Sequence, residues 1–140
     1  KRDCHAGEWV EKEPEGTYDQ RLMRNVRTAI FQLRCHSISH VIPLGQDPEL
    51  VKVVVDRGIR VPGCPLSNLR SGLIPNLQVL RSDYLLDQGV IYTLNADDDL
   101  FLPPMDVVVK ECDEAYNFTA SQAEALEVNV WKGTFHGPSH

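Results

Sequence analysis

Two histidines, one glutamate and two aspartates carry the chemistry this sequence could perform. His5 and Glu8 lie in "DCHAGEW", His40 closes "RCHSISH", and Asp97 and Asp98 lie in "TLNADDD". Imidazole nitrogen and carboxylate oxygen together suit a hard or borderline cation such as zinc, and His5 with Asp97 makes a sensible partial ligand set. Glu8 is close to His5 without needing to ligate, so it is available as a general acid or base. His40 could hold or deprotonate a metal-bound water, and Asp98 could accept a hydrogen bond from a substrate. Such a group would activate water as a nucleophile. Singly, a histidine at a strand end or an acidic turn is commonplace. Order and spacing together give the set its meaning.

These residues need a scaffold that brings them to one place, and the periodicities supply one. Leu22, Val26, Ala29, Ile30 and Leu33 form an apolar stripe on a helix over Tyr18–Leu33. In "DPELVKVVVDRG", Asp47 is placed to cap a helix, Pro48 suits its first position and Gly58 its left-handed end. Ser82 and Gly89 bracket a short helix in "SDYLLDQG". Met105–Ala115 and the "TASQAEALEVNVW" segment read as two more, the last with Thr119 and Gln122 as a capping box. Between them fall the predicted strands Cys4–Gly7, Ser37–His40, Arg60–Cys64 and Val90–Asn95, the last rich in residues that suit a pleated buried surface. Strand and helix alternate, which predicts parallel strands covered by helices. In such a sheet the strand C-termini share one edge, and that is where His5, Glu8, His40, the Cys64–Asn68 stretch, Asp97 and Asp98 all stand.

The composition excludes several classes. At 140 residues the chain has the size of one domain, and its 42% hydrophobic and 24% charged content is that of a soluble fold. A formal charge of −6 favours neither nucleic-acid phosphates nor anionic lipid. No apolar run approaches the ~20 residues of a membrane span, and no signal-like segment precedes the first motif. Cys4, Cys35, Cys64 and Cys112 could form two disulfides, but they lack CxxC spacing in a chain that is not Cys-dense. The expectation is reduced, buried thiols in a cytoplasmic protein.

The motifs resemble those of the adenosine deaminase family, within the metal-dependent amidohydrolase superfamily, from Asp3 to about Phe135. "HAGE" at His5–Glu8 resembles the family's fifth-strand motif, which implies His5 as a zinc ligand and Glu8 as the proton donor to purine N1. "ISHVIPLGQDPEL" is similar to the family's "IGHG" and the loop and helix after it, implying His40 as the histidine that positions the attacking water. "CPLSN" at Cys64–Asn68 resembles the seventh-strand "CPxSN". "TLNADDD" resembles "TLNSDDP", implying Asp97 as a zinc ligand and Asp98 as a contact to the purine. The implied activity is zinc-dependent hydrolytic deamination of adenosine or a related 6-aminopurine. Activated water adds at C6, Glu8 protonates N1, and ammonia leaves.

The departures from that pattern are specific. Ser39 and Val41 flank His40 where glycines are usual, Asp99 replaces a proline, and Arg81 stands about where a histidine is common. The family's first-strand HxH pair has no counterpart: the histidines are His5, His36, His40, His136 and His140. The family fold is a (β/α)8 barrel of ~250 residues, so the resemblance implies that residues 1–140 are the C-terminal half, strands five to eight, of one catalytic barrel. Its zinc site would be incomplete without the missing half. The open sheet has two edges that invite pairing with that half or self-association. A truncated or degenerate relative that binds purine or a partner chain without catalysis is the alternative.

Overall fold

The computed structural model describes residues 2–6, 18–98 and 100–133. Glu8 and Asp99 lie outside the described residues. Four strands, β1 (Asp3–His5), β2 (Ser37–Ser39), β3 (Arg60–Gly63) and β4 (Ile91–Leu94), make one sheet in the order β1-β2-β3-β4. Every pairing is parallel, with Asp3 opposite Ser37, Ser37 opposite Arg60, and Arg60 opposite Ile91. Parallel neighbours need a crossover between them, and helices provide it. They are α1 (Tyr18–Phe31), α2 (Pro48–Asp56), α3 (Pro65–Arg70) and α4 (Ser82–Asp87), followed after β4 by α5 (Met105–Tyr116) and α6 (Ala120–Gly133). This is the predicted alternation, with the strands in the predicted order.

The local signals explain most boundaries. The Asp47 carboxylate accepts from the Leu50 N–H at 3.0 Å, satisfying a first-turn donor of α2. After α2, Gly58 takes φ +59° and turns the chain into β3. The capping box at α6 is reciprocal: Thr119 N–H donates to Gln122 Oε1 at 2.9 Å, and Gln122 N–H to Thr119 Oγ1 at 3.3 Å. Leu22, Val26, Ala29 and Ile30 are buried, as the stripe requires. Leu33 is half exposed because α1 ends at Phe31, before the stripe's last position.

Two expectations are corrected. Ser82 does not cap α4: Arg81 holds that position in the left-handed region, while the buried Ser82 hydroxyl donates to Tyr92 Oη at 2.9 Å. "CPLSN" follows β3 directly, and its Pro65 opens α3. The four thiols are not all reduced: Cys4 and Cys35 form a disulfide, their Cα atoms 6.3 Å apart. Parallel pairing sets Cys4 opposite Ile38, and the turn into β2 brings Cys35 beside it. Sequence spacing cannot show a contact made through sheet register. Cys64 and Cys112 are buried outside any disulfide. The cytoplasmic reading thereby loses the support it drew from reduced thiols. Among the described residues, no helix is long and apolar enough to cross a membrane.

Candidate metal and catalytic site

The backbone ladder runs one residue past each strand and so places the site. Ala6 N–H donates to Ser39 O, His40 N–H to Pro62 O at 3.3 Å, and Asn95 N–H to Gly63 O at 2.9 Å. His5, His40, Cys64 and the 95–98 turn therefore stand on one edge of the sheet. Two of these residues adopt backbone conformations that side chains disfavour: His40 has φ +55° and Asp97 φ +71°. Non-glycine residues in this region are uncommon and gather where a side chain must be aimed.

The aim is mutual. His40 Nε2 and Asp97 Oδ2 are 3.9 Å apart, with the imidazole buried and the carboxylate one-third exposed. Cys64 joins them, and one ligand atom from each of the three lies within 4.8 Å of the others. The "CPLSN" stretch then holds the other two in place. Ser67 Oγ donates to Asp97 Oδ2 at 2.7 Å, and His40 Nδ1 donates to Asn68 Oδ1 at 3.1 Å. Because the Asn68 carbonyl oxygen only accepts, Nδ1 carries a proton, and Nε2 is the nitrogen that faces Asp97. A histidine whose far nitrogen is bonded in this way is oriented as a metal or water partner. The ring of His5, at the end of β1, lies 5.5 Å from that of His40, centroid to centroid.

The predicted residues divide accordingly. His5, His40 and Asp97 converge on this edge. Asp98 is next to Asp97, but its Oδ1 accepts from Leu100 N–H at 3.0 Å and so shapes the following turn. Glu8 lies outside the described residues. His36, the remaining described histidine, accepts Arg2 N–H at 3.1 Å near the start of β2. Cys64, Ser67 and Asn68 were missed as working groups. Their signal was the position of "CPLSN" straight after a strand, where a helix start presents consecutive side chains to the sheet edge. A groove of about 420 Å3 between α5 and α6, lined in part by Leu94, Val109 and Leu126, is elsewhere.

Nitrogen, oxygen and sulfur donors that could hold a metal ion thus gather at the strand C-termini of a parallel sheet, the edge where α/β folds place their binding sites. The chain belongs to the adenosine deaminase family, whose model, described as "Adenosine deaminase", matches residues 4–139. It is similar to an adenine deaminase of Aspergillus fumigatus, 35% identical over 98 residues, which cover 70% of this chain and 24% of that protein. An adenine deaminase of Wolinella succinogenes is 28% identical over 133 residues, covering 94% of this chain and 37% of that one. The crystal structure of an adenine deaminase from Arthrobacter aurescens matches the fold with a TM-score of 0.76 at 24% identity, over 99% of this chain and 39% of its own. The chain thus spans roughly a quarter to two-fifths of the proteins it matches.

Proposed function

We propose that this chain is the C-terminal half of a (β/α)8 barrel that deaminates a 6-aminopurine by hydrolysis, adenine being the substrate named in both relatives above. The observation that carries the reading is the convergence of His40 on Asp97, each held by a neighbour from α3, inside a family match that spans nearly the whole chain. The half-barrel reading draws support from β1 and β4. Among the described residues each has one sheet neighbour, and both are parallel to the rest.

The donor set fits zinc in kind, with His5 and Asp97 as the proposed ligands and the first-strand HxH pair supplied from outside residues 1–140. When bound, zinc lowers the pKa of water so that a nucleophile is available near neutral pH. The protein groups do the rest. His40, with Nδ1 fixed by Asn68, presents Nε2 to orient the attacking water and take its proton. Glu8 gives a proton to the purine ring nitrogen, and Asp98 accepts a hydrogen bond from the ring.

The test is an ammonia-release assay with adenine and adenosine, on residues 1–140 alone and joined to an upstream half that carries HxH. Turnover is expected only in the joined protein, and Glu8→Gln in that protein should lower it ~10²–10⁴-fold while metal stays bound. Tight zinc and turnover in the isolated chain, or near-normal rates with the Gln variant, would overturn the reading.

A further inference from the structure

We infer that Cys64, His40 and Asp97 form a second metal-binding mode at this edge, one that takes a thiophilic divalent cation such as zinc or cadmium through sulfur, nitrogen and oxygen. It differs from the proposed catalytic set, which uses His5 and shares only Asp97. Among the described residues this trio is the group of three such donors drawn together. The 3.9 Å between His40 Nε2 and Asp97 Oδ2 is close to the roughly 3.3–3.5 Å that tetrahedral angles and ordinary metal–ligand bonds impose, and all three donor atoms lie within 4.8 Å of one another, so adjustment of about 1.5 Å or less closes the set.

Two further features favour ligation over a chance cluster. The outer partners are already built: Asn68 holds the His40 ring through Nδ1 with Nε2 turned toward Asp97, and Ser67 holds the Asp97 carboxylate. The third donor is also soft, and a thiolate shifts preference from magnesium or calcium toward zinc and cadmium. On binding, the Cys64 thiol gives its proton to solvent as the metal–sulfur bond forms. His40 and Asp97 would contribute a lone pair each, and Asp97 is the partly exposed member of the three.

A metal held this way occupies the Nε2 lone pair of His40. Resting on the deaminase reading for this consequence alone, the mode is inhibitory: excess cation silences the enzyme by withdrawing His40 from the water. Sequence counting of His5 and Asp97 as the chain's only two donors predicts loose binding at best. The structure offers a different set, His40 and Cys64 with Asp97.

The test is titration of residues 1–140 with cadmium, then with cobalt(II), without reductant so that Cys4 and Cys35 stay bonded. Absorption is read for thiolate-to-metal charge transfer. A band is expected at one metal per chain, surviving Cys112→Ala and vanishing in Cys64→Ser. Affinity in Cys64→Ser should fall by more than the roughly 10–100-fold that loss of an outer partner brings. Circular dichroism checks that the variants fold. Should Cys64→Ser not fold, His40→Gln decides, since it keeps the thiol and should still weaken binding at least about tenfold. No band, a band that survives Cys64→Ser, or unchanged affinity in His40→Gln would overturn the assignment. The spectrum is independent of turnover, so failure of the deaminase reading would leave this result standing.

Discussion

His40 and Asp97 face each other across 3.9 Å from the ends of two strands, and both do so with a positive φ. The two conformations are disfavoured separately, by of order 1–3 kcal/mol each, and are held by what surrounds them. For His40 this includes its own N–H on the Pro62 carbonyl and its ring on Asn68. For Asp97 it includes the Ser67 hydroxyl. One six-residue helix therefore supports both sides of the site.

Removing those supports should weaken the site without removing a ligand. Ser67→Ala and Asn68→Ala are each expected to lower metal affinity or activity of the completed protein by ~10–100-fold. Metal titration by calorimetry, with circular dichroism to show an intact fold, checks this. Unchanged affinity in both variants would mean that α3 does not orient the pair.

Gly63 is required by packing rather than by backbone angle. A Cβ there would sit 2.1 Å from the Tyr92 hydroxyl oxygen and 2.4 Å from the ring carbon that bears it. Gly63→Ala should destabilise by about 1–3 kcal/mol in urea unfolding. Adding Tyr92→Phe should not restore stability, because the ring carbon remains in the way. Full rescue by the double variant would show that the hydroxyl alone was the obstacle.

Asp47 does two jobs, and two variants separate them. Its Oδ1 caps α2 at Leu50 N–H, and its Oδ2 pairs with the Arg27 guanidinium. Asp47→Asn keeps the cap and loses the charge, whereas Asp47→Ala loses both. Arg27 is half exposed, so the ion pair is worth at most about 1 kcal/mol, and the cap typically about 1 kcal/mol. The expected order of stability by denaturant midpoint is wild type, Asn, Ala. Equal destabilisation by Asn and Ala would remove the capping role.

Much of this architecture is legible in the sequence, for reasons that differ by element. The Thr119–Gln122 box, the Asp47–Pro48 start and the stripe through Leu22, Val26 and Ile30 are local signals, complete within one or two helical turns, and each forms as expected. The convergence of His5, His40 and Asp97 follows from topology alone. What escaped depends on contacts across the sheet. Ser82 looks like a cap until Tyr92 lies beside it, Cys4 and Cys35 meet only through β1–β2 register, and Cys64 becomes a donor only once His40 and Asp97 are opposite.

Alkaline conditions should unfold the chain earlier than ordinary titration would suggest. Burial, with the nearby Glu111 charge, pushes the Cys112 thiol from 9.0 up to about 12. Burial also lifts the Tyr116 phenol from 10.0 to about 12, against the opposing hydrogen bond with Ser82. Between the two values the unfolded chain has released a proton that the folded chain retains, so stability falls as pH rises. The loss begins near pH 9 for Cys112 and near pH 10 for Tyr116, at up to about 1.4 kcal/mol per pH unit for each group. Below pH 9 both contributions are fully present. Urea midpoints taken from pH 8 to 11 should decline, and Cys112→Ala should delay the onset. A flat profile across that range would contradict the burial of both groups.

The Cys4–Cys35 bond ties β1, a three-residue edge strand, to the turn that leads into β2. β1 carries His5, and among the described residues it pairs only with β2, so little else in the sheet fixes its register. A bond that closes a separation of 31 residues restricts the unfolded chain by about 3–4 kcal/mol in the loop-entropy account. Reduction should therefore lower the urea midpoint by a corresponding amount, and the Cys4→Ser/Cys35→Ser double variant should match the reduced protein. The effect should also be local. Amide exchange ought to rise across β1 and the 33–36 turn under conditions that leave β3 and β4 protected, because those strands pair with each other over four residues. Non-reducing peptide mapping establishes the bond first. If it is present, yet reduction shifts neither the midpoint nor the exchange of β1, then the strand is held by its ladder alone and the crosslink is incidental to the placement of His5.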